Sequence, residues 1–558
     1  MGLIAAAARR DGARVTALGA LGVVSAAGAV GLPAALGHAL DLLLRGEAAT
    51  RWVVLCAAIV AAQAATAAAE DLLTGVTTAR ATAFLRRRAL RHVLAAGPGA
   101  AARHGEGDLV TRLVGNAADA AGTPAAAAAL PAALAAPIGG IVALALTDLW
   151  LAVVFLAGAP LLTLLVHRFA RASANCITGY QETQGRIATL LVEALGGART
   201  VAAAGTERRE ADRVLGPLPE LGVHGRAMWR VQGRATAQAM VLVPLLQIAV
   251  LAVGGVRLSQ GALSPGDLLA AGRYVLLATG IGVVVGQLGA LVRGRAAAAR
   301  VAGVLAEPVP AYGGRALPPG GPGTLELRDV TARRGGETVL DGLDLTVPGG
   351  SCVAVVGRSG AGKSVLAEIA GRLADPDAGT VLLDGCPLPD LAEHELRDAV
   401  GYAFERPVLF GDTIEDAVAF GPRPLPREQV EEAARAAEAD GFVKLLPAGY
   451  ATPRAQAPFS GGEYQRLGLA RAFAHPGRLL ILDDATSSLD TVTELRVARA
   501  LFRDRPRRTR LLTTHRATTA ARADLVAWLE EGRLRALAPH AALWPDPDYR
   551  TLFGASDA

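Results

Sequence analysis

The stretch GRSGAGKS, residues 357–364, separates two segments with opposite patterns. Before it, SCVAVVG (residues 351–357) is an apolar run typical of a buried strand, and after it VLAEIAGRL (residues 365–373) has helical spacing. In this context G-x-x-x-x-G-K-S predicts a loop whose backbone N–H groups surround phosphate groups at a helix N-terminus. A chance glycine-rich turn does not require a lysine, and Lys363 is one of only two lysines in the chain. We expect Lys363 to reach the outer phosphates and the Ser364 hydroxyl to hold Mg²⁺.

Two further stretches supply what a phosphate loop needs. LLILDD (residues 479–484) predicts a buried strand that brings Asp483 to the metal and Asp484 to the attacking water. FSGGEYQRLGLARAF (residues 459–473) predicts a helix with serine and glycines at its N-terminus, which is a second anion-binding end. One phosphate loop needs one such end. We therefore expect the second to close on a nucleotide held by another copy of the domain.

The composition indicates a membrane protein with more than one domain. The chain has 558 residues, of which 52% are hydrophobic and 19% charged, and this is too long and too apolar for a single soluble core. The net charge of +5 sits in arginines beside apolar segments, as expected near a membrane, so we predict no nucleic-acid partner. The cysteines show no metal-binding spacing, and we expect reduced or membrane-buried thiols without a function at Cys56, Cys176, Cys352 and Cys386.

Six charge-free stretches are long enough to cross a bilayer: residues 15–37, 52–69, 120–147, 149–166, 235–256 and 274–292. Asp148 marks a tight turn between the third and the fourth, and the first is expected to remain as an uncleaved span because others follow it. The long segments 70–119 and 167–234 are basic and have helical spacing. The positive-inside rule then predicts that these extensions and both termini are cytoplasmic.

A segment rich in proline and glycine, PVPAYGGRALPPGGPG, predicts a linker. The expected domains are a membrane domain at 1–307, the linker at 308–323 and a nucleotide-binding domain at 324–558.

With these motifs in this order, nearly the whole chain resembles an ATP-binding cassette transporter. GEGDLVTRL and LLVEALGGARTVAAAGTE in the extensions, and ILDDATSSLD, LLTTHR and HAALWPDPDYRTLF after the phosphate loop, carry the resemblance further. It implies an exporter-type half-transporter in the plasma membrane of a bacterium, with a six-helix all-α membrane domain (type I or type IV exporter fold) followed by an α/β P-loop NTPase domain. It also implies ATP and Mg²⁺ as ligands and an unidentified cargo.

The resemblance assigns roles residue by residue. Asp484 stands where the family has the general base, His515 is the switch histidine and Asp483 ends the strand that faces the metal. Contacts with the nucleotide are expected from Arg334, Gly357, Arg358, Ser359, Gly360, Ala361, Gly362, Lys363, Ser364, Val365, Glu405, Ser460, Gly461, Gly462, Glu463 and Asp490, and contacts with the metal from Ser364, Glu405 and Asp483.

Three positions depart from the family pattern. Asp484 replaces glutamate and is one methylene, about 1.5 Å, too short, which matters because a general base acts only within hydrogen-bond reach. Glu405 replaces a glutamine that faces the metal, and Arg334 stands where an aromatic ring would stack on adenine. All three belong to the chain's own phosphate-loop side, whereas its signature motif, SGGE at residues 460–463, is intact apart from Glu463.

This asymmetry favours one subunit of a heterodimer that retains ATP at its own site and lends its signature to the partner's site. A homodimer in which Asp484 is a slow base remains an alternative. A membrane-anchored nucleotide sensor that moves no cargo is another.

Overall fold

The computed structural model describes residues 2–503 and 508–554, and the chain divides into two compact units. The first unit comprises Met1–Leu94 and His104–Glu307, and the second comprises Ala95–Arg103 and Pro308–Ala558. Each unit is described by itself.

Residues 2–305 form helices, with a π-helical turn at Arg112–Asn116. The helices are α1 (Gly2–Arg10), α2 (Gly12–Leu44), α3 (Thr50–Ala96), α4 (Pro98–His104), α5 (Glu106–Thr111), α6 (Ala117–Ala121), α7 (Thr123–Thr147), α8 (Leu149–Gly196), α9 (Ala198–Ala204), α10 (Glu207–Leu215), α11 (Leu218–Ser259), α12 (Pro265–Ala278) and α13 (Ile281–Leu305).

Six helical segments in the described part of the chain are long and apolar enough to cross a membrane: Gly12–Leu44, Thr50–Ala96, Gly107–Thr147, Leu149–Phe169, Glu207–Ser259 and Pro265–Leu305. This confirms the predicted six-span fold class. The helices run well beyond the apolar runs, because the alanine-rich and arginine-rich extensions of α3 and α8 also favour helix. A bend of 70° between Glu182–Gly196 and Ala198–Ala204 lies in the second of these extensions.

Two connections show how the sequence shapes the spans. Asp148 is extended between α7 and α8, as predicted for a tight turn, and its carboxylate caps α8 by accepting a hydrogen bond from Trp150 N at 2.8 Å. The sixth apolar run, predicted over 274–292, lies within the single candidate span Pro265–Leu305, in which a short turn separates α12 from α13. Gly280, which has low helix propensity, closes the turn that ends α12 through a hydrogen bond from its N–H to Leu277 O.

Small residues bring helices of the first unit close together. A Cβ on Gly37 would lie 2.4 Å from Gly266 O, so α2 and α12 touch through their backbones. Asp41 fixes this contact by accepting hydrogen bonds from Ser264 Oγ at 2.5 Å and from Gly266 N at 2.8 Å. Larger side chains such as Leu144, Phe155 and Val250 fill a core beside it.

The second unit contains two sheets. A four-stranded sheet has the order β2-β1-β4-β5 and a six-stranded sheet the order β10-β9-β3-β8-β7-β6. The strands are β1 (Leu325–Arg334), β2 (Glu337–Val347), β3 (Cys352–Val356), β4 (Ala378–Leu383), β5 (Cys386–Pro387), β6 (Val400–Phe404), β7 (Leu479–Asp483), β8 (Thr509–Thr513), β9 (Leu525–Glu530) and β10 (Arg533–Ala538).

Helices and short 3-10 turns complete this unit. The helices are α14 (Lys363–Ala370), α15 (Glu393–Ala399), α16 (Ile414–Ala419), α17 (Arg427–Ala436), α18 (Asp440–Lys444), α19 (Gly461–Ala474), α20 (Thr491–Arg503), α21 (Ala517–Ala520), α22 (His540–Leu543) and α23 (Pro547–Thr551), and the 3-10 turns are Leu388–Asp390, Gly449–Ala451 and Arg454–Gln456.

The larger sheet is covered on both faces. Alternate residues of β3 enter different hydrophobic cores, Ala354 and Val356 on one face and Val353 and Val355 on the other, which explains its unbroken apolar sequence. Strands β3, β7 and β8 are parallel, so their carboxyl ends meet at one edge. Ligands of such sheets bind at that edge.

The proline- and glycine-rich segment after the first unit is held against the second. Gly313 N donates a hydrogen bond to Pro389 O at 2.8 Å and Arg315 N donates one to Asp390 O at 3.0 Å. The Tyr312 ring lies under the Arg372 guanidinium, 4.5 Å from its centroid. No helix or strand of more than one bridge forms over the described residues 308–323, in agreement with their composition.

Three cysteines are free thiols: Cys56 and Cys352 are buried, and Cys386 is half-buried. The side chain of Cys176 lies outside the described part of the chain.

Candidate nucleotide-binding site

The phosphate loop connects β3 to α14 through a backbone that only glycine suits. Gly360 and Gly362 have φ values of 84° and 96°, in the left-handed region. A Cβ on Gly362 would lie 2.7 Å from Leu340 Cδ2 and 2.9 Å from Val339 O. The glycines of GRSGAGKS therefore serve both the turn and its packing on β2.

Lys363 begins α14 and is only 7% exposed. Its Nζ donates hydrogen bonds to Gly357 O at 2.9 Å and to Arg358 O at 3.1 Å, so the ammonium group is held inside the loop. Burial lowers the pKa of Lys363, and the negative charges of Asp484 and Asp483 oppose that effect. A charged phosphate beside the ammonium would favour its protonated form in the same way.

Two of the three predicted metal residues, Ser364 and Asp483, lie together where β7 and β8 end. Asp483 Oδ1 accepts hydrogen bonds from Ser364 Oγ at 3.1 Å and from Thr513 Oγ1 at 2.9 Å. A hydroxyl and a carboxylate are the oxygen ligands that Mg²⁺ uses in phosphate sites, where water and phosphate oxygens complete the shell. Among the described residues, no group of three or more His, Cys, Asp or Glu side chains could hold a metal ion.

Asp484 and His515, the two predicted catalytic residues, contact each other. Asp484 Oδ2 lies 3.2 Å from His515 Nε2. The Asp484 backbone has a φ of 45°, unusual for a residue other than glycine, and its N–H donates to Thr513 Oγ1 at 2.8 Å. Burial raises the pKa of the Asp484 carboxyl; Asp483 and Glu405 add to this, while His515 and Lys363 oppose it.

Glu405 follows β6 close enough to Asp484 to affect its pKa. Within the described part of the chain, its carboxylate has one ion pair, with Arg406 Nε at 4.0 Å. The structure thus brings Glu405 to the site but records no contact between it and Ser364 or Asp483.

Arg334 is the last residue of β1 and reaches towards the helix that follows the phosphate loop. Its Nη1 donates to Arg333 O at 3.1 Å and its Nη2 lies 3.4 Å from Glu368 Oε2 on α14. Both side chains are partly exposed. The ion pair holds the Arg334 guanidinium against α14, and its contact with a nucleotide stays a prediction.

The signature serine caps α19. Ser460 Oγ accepts a hydrogen bond from Glu463 N at 3.3 Å, while the Glu463 carboxylate accepts one from Ser460 N at 2.8 Å. The Glu463 carboxylate accepts hydrogen bonds from the Ser460 backbone N–H and from the Ser460 hydroxyl, and these two bonds, in that order, lower the pKa of Glu463. A Cβ on Gly461 would meet nothing within 4 Å, so the helix end is open to an incoming group. Among the described residues, no hydrogen bond or ion pair joins this end to the phosphate loop of the same chain.

Asp490 also caps a helix. Its Oδ1 accepts hydrogen bonds from Val492 N at 3.1 Å and from Thr493 N at 3.0 Å at the start of α20. Hydrogen bonds from the Thr493 side chain, and then from the backbone N–H groups of Thr493 and Val492, lower the pKa of Asp490. The Asp490 carboxylate is therefore held in place by the first turn of α20.

Two further residues organise the site without having been predicted. Gln465 is 2% exposed; its Nε2 donates to Glu405 O at 3.2 Å and to Ser487 Oγ at 3.2 Å, and its Oε1 accepts from Ser488 N at 2.9 Å. One side chain thus ties α19 to two loops at the sheet edge. In the sequence Gln465 stands between Tyr464 and Arg466, so no local pattern marked it.

Glu494 is the second such residue. It is 5% exposed on α20, forms an ion pair with Arg516 and accepts a hydrogen bond from Thr519 Oγ1 at 3.0 Å. Arg516 Nη2 in turn donates to Leu489 O at 3.2 Å. The residue after His515 is thereby joined to the loop that follows Asp484.

Comparison with known proteins gives two matches to family models that together cover both units. Residues 15–280 match a model described as the ABC transporter transmembrane region, and residues 340–487 match one described as ABC transporter.

Similar full-length proteins point the same way. The chain is 55% identical over 533 residues to the ABC transporter ATP-binding protein RamA of Streptomyces coelicolor, a match that covers 96% of this chain and 84% of that protein. It is 32% identical over 420 residues to an ATP-dependent lipid A-core flippase of Chromohalobacter salexigens, covering 73% of this chain and 71% of the flippase. It is also 37% identical over 382 residues to a mitochondrial potassium channel ATP-binding subunit of Xenopus tropicalis, covering 65% of this chain and 54% of that subunit.

Proposed function

The chain belongs to the ATP-binding cassette transporter family, and from that premise we propose that it is one subunit of a heterodimeric exporter whose own site retains ATP more than it hydrolyses it. Membership in this family itself implies ATP hydrolysis that is coupled to exporter-type transport. The division of labour between two sites is our proposal.

The proposal that this site hydrolyses ATP poorly rests on the contact between Asp484 and His515. A base must reach the attacking water, and a switch histidine must reach the phosphate that water attacks. Here the carboxylate is one methylene shorter than glutamate and lies 3.2 Å from the histidine, so each group engages the other. Burial, and to a smaller extent the negative charges of Asp483 and Glu405, raise the pKa of the Asp484 carboxyl and so disfavour the ionised form that a base needs.

Binding of ATP needs none of these groups. The loop glycines place backbone N–H groups around the phosphates, and Lys363 can donate to them from its position inside the loop. Ser364 and Asp483 would hold Mg²⁺, which neutralises phosphate charge when bound. The planar guanidinium of Arg334 would stack on the adenine ring of ATP. This site is therefore equipped to bind and poorly equipped to hydrolyse.

The signature is suited to the opposite task. Ser460, Gly461 and Gly462 present a capped, open helix end, and Glu463 keeps it in shape. We propose that this end closes on the nucleotide of the partner, where a glutamate base would complete a working site. Asp490 would lie at the same dimer contact.

The proposal also includes the domain boundaries and the orientation of the chain in the membrane. We assign residues 1–307 to the membrane domain, 308–323 to the linker and 324–558 to the nucleotide-binding domain, in line with a division of the chain at Glu307 and Pro308. We place the protein in the plasma membrane of a bacterium with both termini and the nucleotide-binding domain in the cytoplasm, as the basic extensions favour.

Two alternative functions must be distinguished from this proposal by experiment. A homodimer would use Asp484 as a slow base in both sites. A nucleotide-gated regulator without cargo is favoured by one observation, that a relative is an ATP-binding subunit of a potassium channel.

The experiment is the steady-state release of phosphate by the purified chain alone, with retention of labelled ATP measured in parallel. We expect retention with weak turnover. Brisk hydrolysis by the isolated chain, comparable to that of the chain mixed with a glutamate-bearing partner, would exclude the heterodimer. Nucleotide-dependent movement of cargo into vesicles by the pair would exclude the regulator.

A further inference from the structure

A buried carboxylate on α20 is linked to the two loops that carry Asp484 and His515. One oxygen of Glu494, Oε2, forms an ion pair with Arg516, the residue that directly follows His515. The other, Oε1, accepts a hydrogen bond from Thr486 Oγ1 at 3.4 Å, and Thr486 lies two residues after Asp484. A single side chain thus joins the loop after β7 to the loop after β8.

Arg516 extends this link to the backbone of the loop after β7. Its Nη2 donates hydrogen bonds to Leu489 O at 3.2 Å and to Ser487 O at 3.5 Å. The Glu494 side chain is buried and that of Arg516 is half-buried. Removing one partner of such a pair leaves the charge of the other without compensation, so the pair resists separation. The two loops are therefore held together by charge as well as by hydrogen bonds.

The end of β8 fixes the aspartates of the site but not the histidine. Thr513 Oγ1 accepts a hydrogen bond from Asp484 N at 2.8 Å and donates one to Asp483 Oδ1 at 2.9 Å. His515 lies two residues further on, and its side chain is 47% exposed. Among the described residues, Asp484 forms the only ion pair or hydrogen bond of that side chain. The approach of the histidine to the carboxylate therefore depends on how the next residue, Arg516, is held.

A simpler role for Glu494 is to anchor one helix to another. Thr519 Oγ1 on α21 donates a hydrogen bond to Glu494 Oε1 at 3.0 Å, which joins α21 to α20. A threonine hydroxyl needs only an acceptor, and a neutral amide oxygen would serve. This role explains the position of the side chain but not its negative charge. The charge is matched by Arg516.

We propose that Glu494 is a positioning residue that, through Arg516, holds His515 against Asp484. The inference rests on the proposed function and deepens it, because this contact is what is proposed to keep hydrolysis slow. Among the described residues, neither Glu494 nor Arg516 has a hydrogen bond or ion pair with the phosphate loop at residues 357–364. Binding of ATP is therefore independent of the pair.

The contact affects the titration of Asp484. Burial raises the pKa of this carboxyl, and the negative charges of Asp483 and Glu405 add to the rise. The positive charges of His515 and Lys363 oppose it, the histidine more than the lysine. A histidine is cationic at acid pH, so its departure removes an opposing charge and raises the pKa of the Asp484 carboxyl further. Turnover that needs the ionised carboxylate then falls at a higher pH when the solution is acidified.

The test is the pH dependence of phosphate release by the purified full-length chain at saturating Mg-ATP, with retention of labelled ATP measured at each pH. Glu494→Gln removes the negative charge and keeps the shape, and Arg516→Gln breaks the same ion pair from its other side. Arg516→Lys keeps a positive charge but lacks the planar fork that reaches both Glu494 and the backbone. The matched control is Asp384→Asn, which breaks the ion pair of a buried Asp384 with Arg478 before the opposite end of β7.

We expect Glu494→Gln and Arg516→Gln to move the fall in turnover to higher pH by at least about 0.5 pH unit, because a nearby positive charge lowers the pKa of an aspartate carboxyl. Arg516→Lys should move it less, and Asp384→Asn should leave it in place. Retention of labelled ATP should be unchanged in all four variants. Loss of turnover at every pH without movement of the fall would reduce Glu494 to a stabiliser of the fold and overturn the inference. Equal movement in Asp384→Asn would overturn it as well.

The inference and the proposed function fail in different ways. Brisk turnover by the parent chain alone would contradict the proposed function, while the position of the acid fall in the variants would still decide the role of Glu494. Weak turnover by the parent, with an unchanged acid fall in both glutamine variants, would overturn the inference alone. A fall that persists in Asp484→Asn would show that another group titrates, and this too would overturn the inference.

Discussion

Replacing Asp484 by glutamate should make the chain's own site faster. The substitution moves the carboxylate outwards by about 1.5 Å, one carbon–carbon bond. At present Asp484 Oδ2 lies 3.2 Å from His515 Nε2, a hydrogen-bond distance that leaves no room for a water molecule between them. A longer side chain can pass the histidine and orient water, while the histidine becomes available to the phosphate.

The size of the effect follows from the geometry. A misplacement of about 1 Å costs up to about 100-fold in rate, and this sets the upper limit of the gain. Glu405 still adds negative charge near the carboxyl, and Arg334 still replaces an aromatic ring. We therefore expect about a tenfold rise in turnover, which corresponds to about 1.4 kcal/mol in the activation barrier.

The assay is phosphate release by the purified chain alone at saturating Mg-ATP. A double variant that also carries Lys363→Ala shows whether the added turnover comes from this site. Retention of labelled ATP must be equal in the variant and the parent. A correctly assembled Asp484→Glu variant with less than a twofold gain would refute the idea that reach limits this site.

Three other outcomes are expected. Lys363→Ala should weaken retention of labelled ATP by about 10–100-fold, because a hydrogen bond to a charged group contributes about 1.5–3 kcal/mol; unchanged retention would contradict the role of the ammonium group. Burial raises the pKa of the Asp484 carboxyl above the ordinary value of about 3.9. The residual turnover of the chain alone should therefore fall as the pH decreases through a range above about pH 3.9, where this carboxylate becomes protonated. The variant Asp484→Asn should not show this fall. In thiol labelling of the folded chain, the half-buried Cys386 should react before Cys352, since burial raises the pKa of Cys352 to about 12 and keeps it a thiol; faster labelling of Cys352 would contradict its position in the core.

The sequence was most informative where physical constraints are local. GRSGAGKS needs glycine at particular φ angles and LLILD needs burial, and both can be recognised from neighbouring residues. The six spans were recognisable because a bilayer requires long apolar helices. The short turn at Gly280 inside the sixth span was not predicted, since the apolar composition continues across it and the turn is visible only in the backbone.

The part of the site that was not predicted depends on contacts distant in sequence. Gln465 joins loops that precede and follow it by many residues, and its role emerges only when the sheet brings these together. The same is true of the ion pair between Glu494 and Arg516. The direct approach of His515 to Asp484 also needed coordinates, because the short side chain was recognised from the sequence but its partner was not.

The asymmetry of the two sites is tested most directly by comparing two substitutions in the co-purified pair of half-transporters. Ser460→Arg places bulk and charge at the open helix end, which is proposed to stabilise transition-state charge at the partner's site. Asp484→Asn removes a carboxylate that is proposed to be a poor base. The measurement is steady-state ATPase activity at equal assembly and equal nucleotide occupancy. We predict that Ser460→Arg removes most hydrolysis, whereas Asp484→Asn changes it little; equal loss in both would mean that Asp484 is a working base and that the two sites are not divided as proposed.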